Sequence, residues 1–100
     1  MKPRKIFRSQ SARRDAAEIW HYIATDNIKA ADDLLQEIDA TLHLLAGMPG
    51  IGTPRNEIQR GLRAYPVKSY LIMYRPVKHG IFVSRIVHGA RDLPQLFERE

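Results

Sequence analysis

The residue types best suited to chemistry in this chain lie close together near its C-terminus. Residues 85–92 read Arg-Ile-Val-His-Gly-Ala-Arg-Asp, which places two arginines, a histidine and an aspartate at the end of an apolar stretch. Cleavage of RNA through its own 2′-hydroxyl needs a base, an acid and cations that stabilise the phosphorane, and these residue types can supply them. The candidate catalytic set for that reaction is His88, Arg63, Arg85 and Arg91.

A structural interpretation of the same residues stays open. His88 can be a half-buried residue at the end of a strand, and Asp92 can pair with Arg91 or Arg63 to fix the end of the chain. Catalytic groups must converge in space, and spacing along the chain does not establish that convergence.

Several other kinds of site are excluded or disfavoured by the sequence. The chain has no cysteine, which excludes disulfides and thiolate metal ligands. Its four histidines lack metal-ligand spacing, and no nucleophile elbow or Ser-His-Asp arrangement is present. The Gly-Ile-Gly run at 50–52 follows no strand, so it predicts a turn rather than a phosphate-binding loop. We therefore expect no metal and no other cofactor.

The net charge of +5 is unevenly distributed along the chain. Residues 1–14 carry only basic charges, residues 15–47 carry seven acids against the single Lys29, and residues 51–100 are basic again. This asymmetry predicts an anionic partner, either nucleic acid or an acidic protein segment, although basic charge can also serve solubility alone. No apolar run approaches the ~20 residues of a membrane span. We expect one cytoplasmic domain over residues 1–100, with no membrane association.

Hydrophobic periodicity predicts two helices in the first half of the chain. Ser9 or Ser11 can cap the first helix, and Asn27 can cap the second. The apolar stripe of the second helix is the clearer one, and its expected core residues are Leu34, Leu35, Ile38 and Leu42. Because the link between the helices is short, they should pack as an antiparallel hairpin.

Four strands complete the predicted α+β domain. The candidate strands are residues 2–8, 62–67, 70–75 and 81–88, with a hairpin turn at 76–80. The order β-α-α-β-β-β predicts that the two-helix hairpin packs on one face of a small antiparallel sheet, with the N-terminal strand joining that sheet.

Both faces of the predicted sheet are apolar. Strict alternation places Leu71 and Met73 on one face of their strand, and it places Phe82 and Ile86 together on one face of the next. Two helices can cover only one face. The other face should expose Leu71 and Met73 with arginines at the rim, which is typical of a partner site, unless residues 93–97 fold over it.

Over nearly its whole length the chain resembles the RelE/ParE superfamily of toxins from bacterial toxin–antitoxin modules. The resemblance is carried by an ordered set of short motifs: Ala-Arg-Arg-Asp at 12–15, Tyr-Ile-Ala at 22–24, Met-Pro-Gly-Ile-Gly at 48–52, Gly-Leu-Arg at 61–63, Tyr-Leu-Ile-Met-Tyr-Arg at 70–75, and the 85–92 stretch. The family fold implied by this resemblance agrees with the order of elements predicted above. One branch of the family cleaves ribosome-bound mRNA, whereas the ParE branch inhibits DNA gyrase without cleaving anything.

The chain departs from the mRNA-cleaving branch at the positions that do its chemistry. Members of that branch typically carry an arginine where this chain has Leu71, and a tyrosine acid where it has Phe97. Their lysines before the second strand fall near Gln59 and Gly61, which leaves Arg91 as the matching residue. A phenylalanine cannot donate a proton and a leucine cannot stabilise a phosphorane.

The resemblance therefore implies a ParE-like toxin that is not an enzyme. It implies DNA gyrase as the target and a ParD-type antitoxin as the neutralising partner, in a toxin–antitoxin hetero-oligomer. The residues expected to bind antitoxin or target are Leu71, Met73, Arg75, Arg85, His88 and Arg91. An mRNA interferase built on the candidate catalytic set is the alternative, and a nucleic-acid-binding module that is not a toxin is a third interpretation.

Overall fold

The chain folds into a five-stranded sheet with two helices on one face, as seen in a computed structural model that describes residues 4–89. The elements are β1 (Lys5–Arg8), α1 (Gln10–Ala24), α2 (Ile28–Gly47), a 3-10 turn (Pro49–Ile51), β2 (Thr53–Pro54), β3 (Arg63–Val67), β4 (Tyr70–Val77) and β5 (Gly80–His88). The predicted α+β class is confirmed. The two-residue strand β2 was not predicted, because a strand this short leaves no alternation in the sequence.

Both helices begin at the polar residues that the sequence marks as caps. The Ser9 hydroxyl oxygen accepts the Ala12 N–H at 2.9 Å, and the Asn27 side-chain oxygen accepts the Ala30 N–H at 3.0 Å. These bonds satisfy backbone donors that have no partner within the helix. Ser9 also donates its hydroxyl proton to the Ser84 carbonyl at 2.7 Å, which attaches the start of α1 to β5.

The helix-side core follows the predicted stripe of α2. Ile38 and Leu42 are buried, and Leu34 and Leu35 pack half-buried against the same cluster. From the sheet, this core receives inward-facing side chains of β3, β4 and β5: Val67, Ile72, Tyr74, Ile81, Val83 and Ile86. The 3.6-residue period of the helix thus identified its buried face correctly.

The strand order in the sheet is β1-β5-β4-β3-β2. The pairs β2–β3, β3–β4 and β4–β5 are antiparallel, but β1 pairs with β5 in parallel, from Lys5 opposite Gly80 to Arg8 opposite Val83. The predicted wholly antiparallel sheet is therefore wrong in this one pair. A parallel pair needs a long connection, and all the chain between β1 and β5 provides one. A Cβ on Gly80 would overlap the Lys5 carbonyl oxygen, so glycine permits this close approach.

A β-bulge changes which side chains of β5 face the helices. The register between β4 and β5 shifts at Met73/Tyr74, where Met73 pairs with Arg85 and Tyr74 pairs with Val83. Because the extra residue reverses the alternation, Ile86 lies in the helix-side core and Phe82 does not. The prediction that Phe82 and Ile86 share a face is wrong for this reason.

The sheet face opposite the helices has a small core of its own. Leu62, Ala64, Met73 and Val87 are buried together, with Ile58 and Leu71 packed against them. Met73 is 0% exposed, so the prediction that it lies open at the surface is wrong. The chain that precedes β3 supplies Ile58 and Leu62 over this part of the face, and alternation within the strands cannot reveal that packing.

Candidate functional site

Arg85, a predicted binding and catalytic candidate, forms an ion pair with Asp15 of α1. The Arg85 Nε atom donates to Asp15 Oδ2 at 2.8 Å, and Arg85 Nη2 donates to Asp15 Oδ1 at 3.0 Å. The Arg85 and Asp15 side chains are 16% and 10% exposed. This two-point geometry is the strong form of a carboxylate–guanidinium pair. Arg85 therefore ties the end of β5 to the first helix.

The position of Asp15 follows from where β1 ends. β1 pairs with β5 only as far as Val83, so beyond that residue the outer edge of β5 needs other partners. Ser9 bonds the edge through its N–H to the Val83 carbonyl at 3.0 Å, and Asp15 Oδ2 accepts the Ile86 N–H at 2.9 Å. The start of α1 thus continues the edge pairing that β1 begins.

Arg63, another catalytic candidate, bonds to the turn that follows α2. Its Nη1 atom donates to the Gly50 carbonyl at 3.0 Å and to the Gly52 carbonyl at 2.6 Å. The buried Tyr74 hydroxyl donates to the Pro49 carbonyl at 2.7 Å and accepts the Gly52 N–H at 2.9 Å. The predicted turn at 50–52 is thus held by two side chains of the sheet, and burial raises the pKa of Tyr74 above its usual range.

His88 lies at the end of β5, on the same side of the sheet as the helices. Its ring meets the Tyr70 ring edge-on, with centroids 5.6 Å apart. Both residues line a groove of about 780 Å³ between the connected end of the helix hairpin and the β3–β4 turn, and Lys68, Asp33 and Glu37 also line it. His88 is exposed there rather than half-buried.

The candidate catalytic residues do not converge within the part of the chain that the structure describes. Arg63 is level with Tyr74, whereas His88 is level with Tyr70 and lies two strands away. Four strand residues span about 13 Å and two interstrand spacings about 10 Å, so Arg63 and His88 are far beyond shared contact with one phosphate. Arg91 and Asp92 lie outside the described residues. Among residues 4–89, no group of His, Asp or Glu side chains is placed to bind a metal ion.

The predicted binding residues divide between the two faces of the sheet. Leu71 and Arg75 lie on the face away from the helices, where Leu71 is half-buried and Arg75 is exposed. Met73 lies between them in the chain but is covered, and Arg85 and His88 contact the helix side. The structure therefore brings Leu71 and Arg75 to one outer face and does not assemble all the candidates into one surface.

Sequence reasoning did not identify Phe7 and Phe82 as outward-facing neighbours of Arg75. Phe7 pairs with Phe82 across the parallel strands, and Phe82 pairs with Arg75. The guanidinium carbon of Arg75 lies 5.0 Å from the centre of the Phe82 ring. In the Lys-Ile-Phe-Arg sequence of β1, the basic residues around Phe7 could have marked it as a surface candidate. Strict alternation places Phe82 on the same face as Ile86, and the bulge puts the two on opposite faces.

Comparison with known proteins identifies the family of this chain. Residues 6–93 match the family model described as the ParE toxin of the type II toxin–antitoxin system parDE. The match covers every element of the fold described above except Lys5, the first residue of β1. The chain therefore belongs to the ParE toxin family of type II toxin–antitoxin systems.

Two proteins from Caulobacter vibrioides are similar to this chain over most of their length. Toxin ParE3 is 26% identical over 90 residues, covering 89% of this chain and 90% of the relative. Toxin ParE1 is 30% identical over 93 residues, covering 92% of this chain and 94% of the relative.

A solved structure shares the fold. A chain from the structure titled "Chromosomal ParDE TA system from P. aeruginosa" superimposes with a TM-score of 0.69 at 20% identity. The similarity covers 84% of this chain and 94% of the other. Within residues 4–89, no helix has the length and apolar character needed to cross a membrane.

Proposed function

We propose that this toxin acts in the cytoplasm by binding DNA gyrase and inhibiting it, without catalysing a reaction of its own. The observation that carries the proposal is that Arg63 and Arg85 make structural contacts within the fold. Arg63 bonds the carbonyls of the turn after α2, and Arg85 is paired with Asp15. Both guanidiniums are engaged within the fold, and Arg63 lies too far from His88 to act on the same phosphate, so an mRNA interferase built on these residues has little support.

The gyrase proposal is tested with purified proteins by measuring supercoiling of relaxed plasmid DNA. We expect the toxin to inhibit supercoiling and to leave ribosome-bound mRNA intact. Cleavage of translated mRNA together with normal supercoiling would replace this proposal with the interferase alternative and make His88 the candidate acid.

We further propose that a ParD-type antitoxin neutralises this toxin by binding the outer sheet face at Leu71 and Arg75. A segment that folds on docking gains from burying Leu71, and its acidic side chains can pair with Arg75. Met73 supports this surface indirectly, because it is buried in the cluster against which Leu71 packs. His88 and Arg91 stay proposed as binding residues at the end of the sheet.

The antitoxin proposal is tested by calorimetric titration of a ParD-type antitoxin into Leu71→Asp toxin. We expect at least a tenfold loss of affinity, about 1.4 kcal/mol, because the aspartate places an unpaired charge in an apolar contact. Leu44→Asp is the matched control, since Leu44 is 43% exposed on α2. Unchanged binding by folded Leu71→Asp toxin would exclude this face from the interface.

A further inference from the structure

Phe7, Phe82 and Arg75 form a row across three neighbouring strands on the outer face of the sheet. Residues paired directly across strands project from the same face, and these three are consecutive register partners. Their chain neighbours Ile6 and Ile81 lie in or against the helix-side core, so the row points away from the helices.

The row presents flat groups at the surface. Phe7 is 47% exposed, and the Arg75 guanidinium is stacked against the Phe82 ring. Exposed aromatic rings and guanidinium planes are the groups on which unpaired nucleobases stack. The row spans two interstrand spacings, roughly 10 Å, which gives room for about two or three bases.

Among residues 4–89, the side chains that carry charge around the row are basic. The strands contain no aspartate or glutamate, and Lys5 and Lys78 are exposed at the same end of the sheet as Arg75. Glu57 is the one acid between residues 53 and 89. A hydrogen bond from Arg55 occupies it and lowers its pKa. The acidic side chains of α1 and α2 belong to the opposite layer, so the outer face attracts polyanions.

We propose that the row formed by Phe7, Phe82 and Arg75, with Lys5 beside it, binds single-stranded nucleic acid. Bases stack on Phe7 and on the outer plane of the Arg75 guanidinium, while phosphates pair with Arg75 and Lys5. A single strand fits better than a duplex, because the bases of a duplex are already stacked on one another. An acidic protein segment would use the same charges, but the planar ring and guanidinium faces match the planar faces of unpaired bases. The inference does not depend on gyrase inhibition.

The test is fluorescence anisotropy with a labelled oligothymidylate of about 12 nucleotides, a length chosen to exceed the row. We expect Phe7→Ala and Phe7→Leu each to weaken binding about tenfold, because stacking is lost in both although Phe7→Leu keeps an apolar side chain. Arg75→Ala should also lower the slope of log K against log salt concentration by about 0.7, the value for one phosphate contact on a single strand. Arg75→Lys should keep that slope but lose affinity.

Matched controls separate a local site from the general basic charge. Tyr22→Ala removes an exposed aromatic ring from the helix layer, and Arg14→Ala removes an exposed positive charge from α1. Both should bind like the unaltered toxin. Equal losses in the controls, or unaltered binding by folded Phe7→Leu and Arg75→Ala proteins, would overturn the proposal. Displacement of the oligonucleotide by polyglutamate, with Phe7→Leu having no effect, would overturn it in favour of an acidic protein partner.

Discussion

Asp15 and Arg85 are joined by two hydrogen bonds of 2.8 and 3.0 Å, although 70 residues of chain separate them. The same carboxylate accepts the Ile86 N–H at 2.9 Å. One side chain therefore neutralises an arginine and completes the edge of β5 where β1 has ended. This places the Ala-Arg-Arg-Asp motif of α1 and the 85–92 motif in direct contact.

Removing the carboxylate should strongly destabilise the fold. Asp15→Ala removes the carboxylate that pairs with a mostly buried guanidinium and accepts the Ile86 N–H, which should cost about 3–5 kcal/mol in free energy of unfolding. Asp15→Asn keeps an acceptor oxygen, so its loss should be smaller. Urea denaturation measures both. Glu18→Ala, which removes an exposed acid from the same helix, should stay within about 0.5 kcal/mol. Similar stabilities for Asp15→Ala and Glu18→Ala would contradict the role given to this pair.

Truncation of the α2 stripe tests the assignment of the helix-side core. Ile38 is 3% exposed, and Ile38→Ala should cost about 2–5 kcal/mol because it removes apolar burial and leaves a cavity. Leu44→Ala, on the exposed side of α2, should cost about 0.5 kcal/mol or less. Thermal unfolding that ranks the two variants equally would show that the buried face of α2 has been misplaced.

The elements with a regular period were predictable, and those set by a single inserted residue were not. Ile38 and Leu42 repeat along α2 with the helical period and are buried as expected. In β5 the bulge places Ile86 in the helix-side core and leaves Phe82 outside it, against strict alternation. Nothing in the residue types of β5 marks the bulge, because apolar side chains occupy both faces.

Tyr74 provides a test of how the turn after α2 is held. Tyr74→Phe leaves the Gly52 N–H and the Pro49 carbonyl without their shared partner, which should cost about 1–3 kcal/mol. The phenylalanine keeps the ring packing, so any loss reports the hydroxyl. Hydrogen exchange at the Gly52 amide should accelerate in the variant, and unaltered stability together with unaltered exchange would show that other contacts hold the turn.

Tyr74 should also make stability fall in alkali. Burial raises its folded-state pKa above the value of about 10 in the unfolded chain. Between those two pKa values the unfolded chain binds fewer protons than the folded one, so the free energy of unfolding decreases as pH rises. Below pH 10 this contribution is fully present. The midpoint of urea denaturation should decrease between pH 8 and about pH 11, and the decrease should be larger for the unaltered protein than for Tyr74→Phe. Equal falls would show that other groups cause the alkaline loss.

The candidate site was only partly predictable, because the role of each arginine depends on which groups lie next to it in space. Arg63, Arg75 and Arg85 are equivalent as residue types, yet Arg63 bonds a turn, Arg85 pairs with Asp15, and only Arg75 is exposed on the outer face. Leu71 is half-buried and Met73 is fully buried, because the chain before β3 covers Met73 more completely. These distinctions arise from tertiary packing and leave no periodic signal.

Stoichiometry of gyrase inhibition tests the central claim, that this toxin acts by binding rather than by catalysis, most directly. The measurement is the rate of plasmid supercoiling by a fixed amount of gyrase as toxin is added, with His88→Ala toxin in parallel to remove the candidate acid–base group of the interferase alternative. A tight binder should inhibit in proportion to the gyrase sites filled and reach its full effect near equimolar toxin, and His88→Ala should change at most the affinity. Undiminished supercoiling at excess toxin, with cleavage of ribosome-bound mRNA that His88→Ala abolishes, would contradict the account.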